Sequence, residues 1–62
     1  MKLKIEIQMD NAAFNEASNG NECGRILRRL AGNIKDADLD VEFRGGLYDL
    51  NGNRVGEVKV TR

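Results

Sequence analysis

The dipeptide Asn51-Gly52, with alternating hydrophobic and polar residues on both sides, constrains this chain more than any other feature. Asn-Gly is the strongest short-range signal for a two-residue β-hairpin turn, whose central residues take a backbone conformation that asparagine and glycine tolerate best. Such a turn fixes the register of everything around it. Phe43 then faces Val60, Gly45 faces Val58, Leu47 faces Gly56 and Asp49 faces Arg54, which gathers apolar residues on one face and sets opposite charges near the tip. The other face receives Glu42, Arg44, Gly46, Tyr48 and Leu50 across from Thr61, Lys59, Glu57, Val55 and Asn53.

The same stretch spaces Asp49, Asn51 and Asn53 as a calcium loop begins. An EF-hand loop starting at Asp49 needs glycine at its sixth position and a bidentate glutamate at its twelfth, and this chain has Arg54 and Val60 there. A turn is the better reading, with no metal and no cofactor expected.

Upstream, "MKLKIEIQM" alternates Leu3, Ile5, Ile7 and Met9 with Lys2, Lys4, Glu6 and Gln8, the pattern of a strand with one buried face. "DNAAFNEASNGN" follows, with Asx residues suited to capping, and predicts a helical turn over roughly 12–17, with Phe14 in the core and "SNGN" interrupting it. Asn19 with Glu22 three residues on is a capping-box variant. Cys23, Ile26, Leu27, Leu30 and Ile34 then recur at helical spacing. Gly24 weakens this helix unless it permits close packing on a sheet, and Gly32 or Asn33 supplies the stop.

The element order is β-α-β-β, an α+β fold in which residues 1–62 make a single small domain, a three-stranded sheet with a helical layer on one face. The third strand is expected in the middle, antiparallel to both neighbours; the alternative sets the second strand in the middle, parallel to the first.

Composition narrows the function classes. Histidine is absent and Cys23 is the one cysteine, so neither a Cys/His nor a Ser/His catalytic set can assemble in one chain. The expectation is a non-enzyme in a reducing cytoplasm, with no membrane segment, and with Cys23 as a small buried hydrophobe. Ten Lys plus Arg balance ten Asp plus Glu, which gives no bulk attraction to nucleic acid.

Three features remain as candidates. Arg25, Arg28 and Arg29 in "RILRR" project from the solvent side of the helix, where they suit an acidic protein partner better than phosphate, or else are a solvated face. Asp36, Asp38, Asp40 and Glu42 form an acidic run that reads as a soluble connection. Tyr48, Leu50 and Val55 fall together on the sheet face away from the helices, where apolar side chains mark an interface with a partner or with a second copy.

Over most of its length, through "MKLKIEIQMDNAAF", "GRILRRLAGNI" and "LYDLNGNRVGEVKV", the chain resembles a group of small hypothetical proteins encoded by bacteriophages and prophages. Small phage proteins of this build include anti-CRISPR proteins, which bind and block a host effector complex. The resemblance implies a phage accessory protein that acts by protein-protein binding on a host or defence complex. The alternatives are a small nucleic-acid-binding or regulatory protein using the basic helix face, and a homodimeric phage accessory protein.

Overall fold

The computed structural model describes residues 1–16 and 19–62, with the side chain of Glu16 outside the description. The chain runs β1 (Lys2–Ile7), α1 (Ala12–Glu16), α2 (Asn19–Ile34), β2 (Phe43–Tyr48) and β3 (Arg54–Thr61). The strands form one antiparallel sheet in the order β1-β3-β2, so the last strand lies in the middle and β1 and β2 are the edges. The expected helical turn is α1; positions 17 and 18 lie outside the described residues, and the rest of the expected "SNGN" interruption, Asn19 to Asn21, is instead the first turn of α2.

The core joins Ala13 and Phe14 of α1 and Ile26 and Leu30 of α2 to Leu47, Val55 and Val58 of the hairpin, with Ile7, Cys23, Ile34 and Phe43 packed at its margin. The helical stripe therefore buries as its spacing predicts, apart from Leu27, which stays exposed. Cys23 is partly buried, its Sγ 3.2 Å from the Met9 Sδ.

Two expectations about α2 are corrected. The helix continues through Gly32 and Asn33 instead of stopping there, and closes with Lys35 N–H donating to the Ala31 carbonyl at 3.1 Å. Continuing it seats Ile34 against the core. Gly24 does not approach the sheet: a Cβ there would meet only the Arg28 guanidinium, at 3.4 Å.

The hairpin departs from a two-residue turn. Its ladder follows the expected register from Phe43 opposite Val60 to Leu47 opposite Gly56, then slips, setting Tyr48 opposite Arg54 with Val55 as an extra residue on β3. The reversal is a three-residue loop, Leu50-Asn51-Gly52. Asp49 N–H donates to the Asn53 carbonyl at 2.9 Å, Gly52 N–H donates to the Asp49 carbonyl at 3.1 Å, and Gly52 takes the left-handed conformation at φ 84°. Asn51 does not share that conformation, which rules out the turn that Asn51-Gly52 alone suggests.

This slip overturns the outward placement of Val55. One extra residue rotates β3, so Val55 joins Leu47 on the core side and is only 7% exposed. Its carbonyl accepts the Gln8 N–H beyond β1, at 2.7 Å.

β1 also departs from expectation. Leu3 and Ile5 stand opposite Val60 and Val58, hence on the helix-covered face, yet they remain exposed, as does Met9. The helices lie over the hairpin, and of β1 only Ile7 reaches the core margin.

Candidate functional site

Two buried carboxylates anchor the hairpin tip: Glu22 ties it to α2, and Asp49 ties it to Asn11 ahead of α1. Glu22 accepts Arg25 Nε at 2.8 Å and an Arg25 terminal nitrogen at 3.1 Å, and also takes the Leu50 N–H at 2.7 Å. The Leu50 contact crosses from helix to hairpin. The charge-assisted bond from Arg25, with the Leu50 amide, outweighs the cost of burial and holds the Glu22 carboxyl below the usual range. Glu22 in turn raises Arg25. The capping role expected of Glu22 is thus replaced by a bridge to the hairpin.

Asp49 is the other anchor. One carboxylate oxygen accepts the N–H groups of Asn51 at 2.9 Å and Asn53 at 2.8 Å; the other accepts the side-chain amides of Asn11 and Asn53. Burial pushes this carboxyl up, but the hydrogen bonds from Asn53, Asn11 and Asn51 prevail and its pKa is lowered. The three side chains spaced like a calcium loop are therefore used as an Asx turn, with amide donors aimed at the carboxylate. The expected pairing of Asp49 with Arg54 is not formed: Arg54 lies 3.6 Å from Glu57.

Around this clamp α2 and β2 enclose a groove of about 580 Å3, lined by Arg25, Ile26, Arg29 and Leu30 on one side and by Leu47, Tyr48 and Leu50 on the other, among others. The fold thus brings together four of the six residues singled out in the sequence: Arg25, Arg29, Tyr48 and Leu50. Tyr48 is 54% exposed and Leu50 70%. A Cβ on Gly46 would stand 2.9 Å from the Tyr48 hydroxyl, so the ring rests in space that the glycine leaves open.

The other two are elsewhere. Val55 is in the core, and Arg28 lies beside Gly24 on α2. The three arginines do not act as one cationic cluster. Arg25 is neutralised by Glu22 and donates to the Tyr48 carbonyl at 3.2 Å, whereas Arg29 has no hydrogen bond or ion pair among the described residues. In the acidic run, Asp38 accepts the Asp40 N–H at 2.9 Å and the Asp40 carbonyl accepts from Arg62 at 3.3 Å.

Glu22 and Asp49 as a polar core escaped the sequence reading. Only the density of Asn residues around Asp49 hinted at one of them. No helix among the described residues is long and apolar enough to cross a membrane, and no group of three or more His, Cys, Asp or Glu among them is placed to hold a metal ion. Comparison with protein families, with curated proteins and with solved structures finds no match to this chain.

Proposed function

We propose that this protein is a non-catalytic binding protein that seats a protein partner in the groove between α2 and β2. The observation that carries this reading is the joint exposure of Tyr48 and Leu50 beside that groove, on a hairpin tip held rigid by Glu22 and Asp49. Tyrosine and leucine exposed together offer an apolar anchor at low entropic cost, because the backbone beneath them is already fixed. Arg29, without an ion pair among the described residues, adds a cation at the rim, so the partner surface that fits is an apolar residue next to a carboxylate. In the phage setting that the resemblance implies, that surface would belong to a host or defence complex.

A nucleic-acid role is the weaker reading, because Glu22 cancels Arg25 and the basic face is reduced to Arg28 and Arg29. The test is affinity capture from a bacterial host lysate. Tyr48→Ala with Leu50→Ser should lose a protein that the native chain and an Arg28→Ala control both retain. Equal capture by all three chains, or salt-sensitive retention on heparin that Arg28→Ala abolishes, would overturn the proposal.

A further inference from the structure

Leu3 and Ile5 are 45% and 42% exposed on β1, an outer strand of the sheet. On α2, Leu27, one helical turn beyond Cys23, whose Sγ lies against Met9, is exposed as well. Among the described residues, β1 pairs with no strand but β3, so its outer edge is unused. Gln8 N–H bonds to β3 through the Val55 carbonyl. Hydrogen-bonded positions alternate along an antiparallel pair, so the main-chain groups of Leu3, Ile5 and Ile7 point away from β3. An apolar strand with a bare edge is a template for another strand.

The charges say which strand. On the open face Lys4 stands opposite Lys59, which in turn faces Arg44, while Glu6 stands opposite Glu57. A cationic row crosses the sheet beside an acidic row, and like charges directly opposite are destabilising. A second β1, antiparallel and set with Ile5 against the partner's Ile5, places Lys4 against the partner's Glu6 and Lys2 against the partner's Gln8. Leu3 meets the partner's Ile7. Sliding by two residues in either direction, the smallest shift that keeps the same faces together, brings Lys4 against the partner's Lys4, or Glu6 against the partner's Glu6. β2, the other edge, has Gly45 and Gly46 at its middle and offers no such set of side-chain pairs.

We propose that the protein forms a two-fold dimer through β1 in this register, which doubles the sheet and places both helical layers on the same face. Leu3, Ile5 and Leu27 of the two copies then meet between those layers. The interface is independent of the α2/β2 groove, which lies at the opposite edge of the sheet.

Sedimentation equilibrium over a dilution series tests the register. The native chain should reach twice its monomer mass. Lys4→Glu and Glu6→Lys should each weaken self-association by about tenfold or more, since each sets like charges together twice across the axis. Neither harms the monomer, because each converts a like-charged pair with β3 into an opposite-charged one. An equimolar mixture of the two variants should associate as the native chain does. A native chain that stays monomeric, single variants that dimerise as well as it does, or a mixture that fails to associate would each overturn the proposal.

Discussion

Replacing Gly56 with alanine sets two physical effects against each other with opposite sign. Backbone propensity alone favours alanine in a strand by roughly 0.5–1 kcal/mol, because glycine loses more conformational freedom on folding. Here a Cβ would run into the carbonyl oxygen of Glu6 and would lie 2.9 Å from that carbonyl's carbon and 3.0 Å from the Ile7 Cα. These are main-chain atoms of the paired strand, so no rotamer change relieves the contact. β1 has to move outward. That strains the ladder bonds on either side, including Gln8 to Val55, each worth about 1 kcal/mol. Overpacking adds about 1–3 kcal/mol, for a cost of about 3–5 kcal/mol, or about 2–4.5 kcal/mol once the propensity gain is subtracted. A domain of this length has about 3–9 kcal/mol in all. Gly56→Ala should therefore lower the urea midpoint by half or more and speed amide exchange at Gln8. A midpoint equal to or above that of the native chain would refute the close approach of β1 to β3.

Two further outcomes follow from the hairpin and its clamp. Val55→Ser should cost about 2–4 kcal/mol, from lost apolar burial and a hydroxyl placed in the core, whereas Leu50→Ser should stay within about 0.5 kcal/mol; equal shifts in Tm would reject the slip in register. Glu22 and Asp49 have lowered pKa values in the fold, so the stability they contribute is full above the ordinary carboxylate range and is lost as pH falls below about 4. With no histidine to titrate, the urea midpoint should be flat between about pH 5.5 and 8, and Glu22→Gln should make its acid decline shallower. An unchanged acid profile in that variant would remove Glu22 from the argument.

The architecture was legible because periodicity is a local property. Alternation in Leu3 to Met9, helical spacing in Cys23 to Ile34 and the Asn-Gly signal sufficed for the elements, whereas the strand order stayed open between β3 and β2 in the middle until the structure showed β3 there. The register was legible only as far as Leu47. Beyond it the Asp49 side chain supplies hydrogen bonds that the backbone of a two-residue turn would otherwise make, and such a choice does not show in a hydrophobic pattern. The candidate site inherits this split. Tyr48 and Leu50 are exposed as read, but they border α2 at the groove instead of lying on the sheet face away from the helices; Val55 was misplaced by the slip, and the role of Glu22 depends on an amide from residue 50 that no local window contains.

Lys2 stands opposite Thr61, so the earliest of the three strands to be made is zipped to the latest of them. Until residues 54–61 leave the ribosome, β1 has no neighbour in its own sheet, and Ile7, which ends at the core margin, waits uncovered for almost the whole translation of the domain. The two ends of the fold also come within one strand spacing of each other. A short linker should therefore join them, with new ends opened in the exposed stretch between Lys35 and Glu42, giving a permuted chain in which β1 follows β3 directly and that wait disappears.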